Sequence, residues 1–149
     1  AISLSKNNDK VLLIDCNLRN PVQHILFDVN NQGLTNHVVM DEDLTIHRNV
    51  MPHLDLISSG TAVESPSEVV DSHRLSTVFE YIRDEYDVIV VDTPSVLSVT
   101  DALVIAEKGD GVLFVVKGHY VQPDDMALAK QRLDQIGVPI IGSVFIDME

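Results

Sequence analysis

The chain has a single cysteine, Cys16, in 149 residues. That leaves no disulfide framework and no cysteine-based metal site, and a reducing compartment fits. Basic residues are also scarce: 10 Lys and Arg stand against 23 Asp and Glu, a formal net charge of −13. Nucleic acid and anionic membrane surfaces are recognised by clustered positive charge, so no nucleic-acid partner and no polybasic membrane contact is expected. No apolar run approaches the roughly 18 residues that suggest a membrane span, so no direct membrane insertion is expected. Residues 1–10 are polar and lack the basic start and apolar core of a signal peptide. The chain reads as cytoplasmic. It has no internal repeat and no low-complexity stretch. His24, His37, His47, His53, His73 and His119 show no metal-ligand spacing.

What is present is enough for a core. The hydrophobic fraction is 45%, and the length is that of a single domain, taken as residues 1–149. Short, continuous, β-branched-rich runs at 11–14, 54–57, 88–91, 112–116 and 140–146 read as buried strands. Helical patterns lie between them. Pro21 is read as a first helical residue, followed by Val22, Ile25 and Leu26 on one face. Leu75, Val78, Phe79 and Ile82 form an amphipathic stripe. Ser65-Pro66 reads as an N-cap with proline at the first helical position. Residues 100–107 and 123–136 are further helices, the second stopped by Gly137. Residues 33–52 read as a long polar loop, with a weak helix at 34–40. Strands alternating with helices predict a three-layer α/β domain with a mostly parallel sheet.

Ligands of such sheets bind beyond the carboxyl ends of the strands. Two strands here end in aspartate, Asp15 after VLLI and Asp92 after VIVV. An aspartate there is a magnesium–water ligand in nucleotide-binding sheets, or alternatively a helix cap or turn starter. Two in one chain favour a shared metal–phosphate site. Cys16, beside Asp15, reads as a small buried residue rather than a nucleophile. Asp41-Glu42-Asp43 reads as a solvated loop, and Ser58-Ser59-Gly60 as either a phosphate approach or a simple turn.

The sequence around these aspartates resembles the bacterial tyrosine kinases of capsule and exopolysaccharide export, within the deviant-Walker ATPases that include MinD and ParA. VLLIDCNLR at 11–19 is similar to the family's apolar D-x-D-x-R motif, and VIVVDTPS at 88–95 to its Walker B. LRNPVQHILF, Gln32-Gly33-Leu34-Thr35, LDLISSGTAVESPSEVV, Ser98-Val99-Thr100-Asp101-Ala102, Asp110-Gly111-Val112 and Ile136-Gly137 extend the likeness in order across residues 1–146. The resemblance implies a P-loop fold of MinD-like type, with ATP and magnesium as cofactors. Asp15 would polarise the attacking hydroxyl or organise the magnesium shell. Asp92 would hold magnesium through water. Asn17, Arg19, Thr93 and Pro94 would line the nucleotide, with Arg19 on the phosphate side or in a subunit contact. A membrane chain-length regulator, the polysaccharide co-polymerase, would be the partner. It would hold the domain at the inner face of the membrane as a separate or fused segment, and a homo-oligomer is compatible.

The departures are equally specific. Residues 1–149 contain no G-x-x-x-x-G-K-[ST], so the Walker A strand and loop are missing from this stretch. Residues 1–10 look like the end of the helix that follows that loop. Asn17 replaces the second aspartate of D-x-D, Ile146 stands where the family has asparagine, and the carboxy-terminal tyrosine cluster is absent; Tyr81, Tyr86 and Tyr120 are dispersed. Without the Walker A strand, residues 88–91 are expected to have an unpaired edge. The readings left open are a tyrosine-kinase ATPase, an inactive pseudo-ATPase acting as a regulatory module, and a MinD- or ParA-like positioning ATPase.

Overall fold

The structure is a computed structural model that describes residues 1–7, 9–118 and 121–146. His119, Tyr120 and the 147–149 end lie outside the described residues. In chain order the elements are α1 (Ile2–Ser5), β1 (Val11–Asp15), α2 (Gln23–Leu26), α3 (Leu34–Met40), β2 (His47–Met51), β3 (Leu54–Ile57), α4 (Pro66–Val70), α5 (His73–Arg83), β4 (Val88–Asp92), α6 (Asp101–Ala106), β5 (Val112–Lys117), α7 (Pro123–Gln135) and β6 (Ile140–Ile146). They form two compact units, Ala1–Pro94 and Ser95–Glu149.

The first unit is built on a sheet of order β2-β3-β1-β4. β1 runs parallel to β3 on one side and to β4 on the other. All five residues of β1 are buried, as a continuous apolar run requires when both sheet faces are covered. Val11, Leu13, Leu54 and Leu56 form one core cluster, with Val88, Val90 and Phe27 packed against it. Leu12, Ile14 and Ile57 are fully buried as well. Each such side chain contributes about 1.5–3 kcal/mol relative to exposure. α5 buries Leu75, Val78 and Ile82, the stripe its sequence predicts. Its first turn is capped by Ser72, whose hydroxyl accepts from the Leu75 N–H at 3.2 Å. Among the described residues β4 ends this four-stranded sheet, paired with β1.

Two readings are corrected. Residues 33–52 are not one loop: His47–Met51 forms β2, antiparallel to β3 with an irregular register. Its alternation is masked by polar residues, and Asn49 sits at φ 53°. Pro21 does not open α2, which begins at Gln23 after Val22. This helix is a single turn, and its apolar residues Ile25 and Leu26 are 68% and 70% exposed.

In the second unit β5 and β6 pair in parallel. α6 and α7 bury Ala102, Ile105, Ala129 and Leu133. Register places Leu113 and Val115 of β5 on the same sheet face as Val144 and Ile146 of β6. These four are exposed large hydrophobics.

Candidate functional site

Asp15 and Asp92 end β1 and β4, and strand register makes them direct partners. The ladder continues one step further, with the Cys16 N–H donating to the Asp92 carbonyl at 2.9 Å. Two adjacent parallel strands thus deliver both carboxylates to the carboxyl edge of the sheet, where the topology places ligands.

Their surroundings differ. Asp15 is fully buried. Its Oδ1 accepts from the Asn17 N–H at 3.1 Å. Its Oδ2 accepts from the N–H groups of Val22 and Gln23 at 3.2 and 3.1 Å. Between them the chain reverses through a turn in which the Asn20 N–H donates to the Asn17 carbonyl. Pro21 has no N–H to satisfy, so the reversal leaves the next two amides aimed at the carboxylate. Burial pushes the Asp15 carboxyl above its ordinary value. The Gln23 and Asn17 N–H bonds pull against that, and the neighbouring Asp92 charge adds to it.

Asp92 is half-buried. Its Oδ2 accepts from the Gln23 side-chain amide at 2.7 Å. Gln23 therefore touches both carboxylates, Asp15 through its backbone and Asp92 through its side chain. Sequence reasoning missed it, because a glutamine carries no catalytic signal until the register of β1 and β4 is known.

The other expected residues fall around this pair. Asn17 is half-buried and lends its N–H to Asp15. Thr93 and Pro94 leave β4 directly after Asp92 and are half-buried. Arg19 is exposed and directs Nη2 to the Ser67 hydroxyl of α4 at 2.7 Å, so one guanidinium donor is committed to α4. Cys16 is buried, and burial followed by the charges of Asp15 and Asp92 pushes its thiol far above the ordinary range. It is a packing residue and not a nucleophile.

Ser58-Ser59-Gly60 is more than a simple turn. Ser58 and Ser59 carbonyls accept from the Leu34 and Thr35 N–H groups at 2.9 Å each, fastening the start of α3 to the end of β3. The Ser58 hydroxyl donates to the Gln32 carbonyl and the Ser59 hydroxyl to Asn31 Oδ1. Asn36 Oδ1 accepts from both the Gly33 and the Thr61 N–H. Within Asp41-Glu42-Asp43, Asp41 pairs with Arg74, and Glu42 accepts from Gln32 and Asn36. Among the described residues no group of three or more His, Cys, Asp or Glu is placed to hold a metal ion, and no helix is long and apolar enough to cross a membrane.

The donor chemistry at the strand ends suits magnesium, which takes hard oxygen ligands and keeps several of its waters. Asp92 is the more accessible carboxylate, with one oxygen oriented by an amide. Asp15 is sealed and held by three amides.

Comparison with known proteins agrees with this architecture. A family model described as an AAA domain matches residues 1–128. The tyrosine-protein kinase etk of Escherichia coli (strain K12) is 33% identical over 150 residues, covering 97% of this chain and 20% of that protein. The tyrosine-protein kinase CpsD of Streptococcus agalactiae is 30% identical over 148 residues, covering 97% of this chain and 64% of that one. The chain thus spans less than two thirds of these relatives. Among solved structures, the kinase domain of Escherichia coli tyrosine kinase ETK superposes with a TM-score of 0.90 at 32% identity, over 98% of this chain and 58% of that one. The septum site-determining protein MinD of Pyrococcus horikoshii, complexed with Mg-ADP, shares the fold with a TM-score of 0.79 at 20% identity, over 97% of this chain and 60% of that one. The chain belongs to the AAA-domain family; it is similar over nearly its whole length to bacterial tyrosine-protein kinases, and it shares its fold with MinD.

Proposed function

We propose that residues 1–149 form part of one ATP-dependent tyrosine-kinase domain that regulates capsule or exopolysaccharide export. The register pairing of Asp15 with Asp92 at the carboxyl edge of the sheet carries this reading. Asp92 would hold magnesium through water, and magnesium would neutralise charge on the phosphates. Asp15 would organise the turn beside it, and Asn17, Arg19, Thr93 and Pro94 would line the nucleotide side. Phosphoryl transfer asks little of the protein beyond positioning and charge neutralisation.

The lysine and phosphate-cradling loop of the family would come from polypeptide outside residues 1–149. Two surfaces support this: among the described residues β4 ends its sheet with one paired edge, and the Leu113, Val115, Val144 and Ile146 face is exposed. A single long apolar edge and an open apolar sheet face are liabilities in a finished domain. The partner would be a membrane chain-length regulator, with the domain on the cytoplasmic side and self-association between copies.

The test is phosphotyrosine formation by the natural protein with Mg-ATP. Label on tyrosine that disappears in Asp92→Asn supports the reading. A second reading, a regulatory pseudo-ATPase, is favoured by Asn17 at the second acidic position of the motif. Failure of the natural protein to bind Mg-ATP would establish it instead.

A further inference from the structure

We propose that Gln23 is a positioning residue for Asp92, fixing the orientation of its carboxylate; the inference rests on Asp92 as the magnesium–water ligand. A carboxylate at a strand end can rotate about its terminal torsion, which is broad. The Gln23 amide removes that freedom by donating to Asp92 Oδ2 at 2.7 Å. With Oδ2 held by that amide, the carboxylate plane is fixed, and its remaining lone pairs would accept from a metal-bound water.

The amide is itself held. The Gln23 backbone N–H donates to Asp15 Oδ2 at 3.1 Å, and the preceding Val22 N–H to the same oxygen. Asp15 is fully buried and bound a second time by the Asn17 N–H. The strut therefore runs from a fixed carboxylate, through the backbone of one residue, to its side chain and on to the working carboxylate. Neutral amide donation orients Asp92 without cancelling its charge, which a lysine or arginine at the same place would do. Partners of this kind, behind a ligand rather than on the metal, are worth 10–100-fold in metal affinity.

The experiment uses the natural protein and its Gln23→Ala, Gln23→Asn and Asp92→Asn variants. Mn2+ binding in the presence of ADP is followed by electron paramagnetic resonance. The magnesium dependence of phosphorylation is followed in parallel, and urea unfolding is followed without metal. The expected result is a rise of about tenfold in the Mn2+ dissociation constant and in half-saturating magnesium for Gln23→Ala. The rate at saturating magnesium should change far less, and the metal-free unfolding midpoint should stay close to the parent's. Gln23→Asn, one methylene short, should fall between, and it serves as the reading if Gln23→Ala fails to fold. Unchanged or tighter Mn2+ binding in the Gln23 variants, with binding lost in Asp92→Asn, overturns the positioning role alone. Mn2+ binding unaffected by Asp92→Asn overturns the magnesium reading beneath it.

Discussion

Asp15 and Asp92 are register partners on adjacent parallel strands, yet one is sealed and the other half-open. That asymmetry divides their labour. Asp15 spends both oxygens on backbone amides and holds the 16–23 reversal in place. Asp92 keeps capacity for a ligand.

Asp15→Asn should therefore act on stability. The amide that replaces one oxygen points donors at donors, either at Asn17 or at Val22 and Gln23. Leaving such buried groups unpaired costs about 1–3 kcal/mol. Urea denaturation should show that loss, whereas Asp92→Asn should shift the midpoint less and abolish the response to divalent metal. Equal stability losses in the two variants would remove the distinction.

A second buried carboxylate carries a pH prediction. Asp55, in β3, accepts from Tyr86 Oη at 2.8 Å, from Arg48 Nη1 at 2.9 Å and from the Asn49 N–H at 2.7 Å. Burial raises its carboxyl, but the bonds from Asn49, Tyr86 and Arg48 outweigh it, and the net value lies below the ordinary one. The group is thus more acidic folded than unfolded. Its stabilisation is complete above the unfolded value near 3.8 and is lost as pH falls through the folded value. The stability difference between the parent and Asp55→Asn should hold at about 1–3 kcal/mol near neutrality and shrink on acidification below pH ~4. Denaturant titrations of both proteins from pH 7 to pH 3 would show it, and a difference that grows toward acid would contradict the assignment.

Tyr86 tests the same cluster from the other side. Burial, then the bond to Asp55, pushes its phenol far above the ordinary range, so it stays protonated and keeps donating. Tyr86→Phe should cost about 1 kcal/mol, read as a lower urea midpoint, with no change in metal binding at the far end of the strands. A loss of metal affinity would show that this cluster reaches the site.

Gly33 is a steric prediction. A Cβ there would lie 1.9 Å from the Ser58 carbonyl oxygen, because the two backbones meet in a parallel bridge. The φ of −167° is open to any residue, so the penalty is contact alone. Gly33→Ala should lose about 1–3 kcal/mol or fail to fold. A thermal melt matching the parent's would mean the α3–β3 junction can open at no cost.

Most of this architecture is legible because parallel strands write themselves as unbroken apolar runs, although only β1 and β3 are buried throughout, while β4 is half-buried and β5 and β6 carry exposed residues. β1, β3, β4, β5 and β6 were read within a residue of their ends, and the paired aspartates followed from two of those ends. β2 was not legible: His47-Arg48-Asn49 is polar, its edge position needs no continuous apolar face, and a positive φ at Asn49 breaks the alternation. Gln23 was illegible for a different reason. Its role depends on a contact 69 residues away in sequence, and only the strand register brings Asp92 within reach. Ile25 and Leu26 looked like a core-facing stripe, but a four-residue helix has no second turn with which to bury one.

The β5–β6 face gives the prediction that bears most directly on the completeness of the domain. Leu113 and Val115 are 55% and 54% exposed, and Val144 and Ile146 share their face. If further polypeptide covers that face, a charge there has opposite effects in two contexts. In the isolated 149-residue chain, Leu113→Lys should raise solubility and reduce self-association, measured by sedimentation, with little loss of stability. In the natural protein the same lysine would be buried without a partner, and the thermal midpoint should fall by several degrees. Equal, small effects in both contexts would mean that the face is solvent-exposed in the working molecule, and that the sheet is finished without another layer.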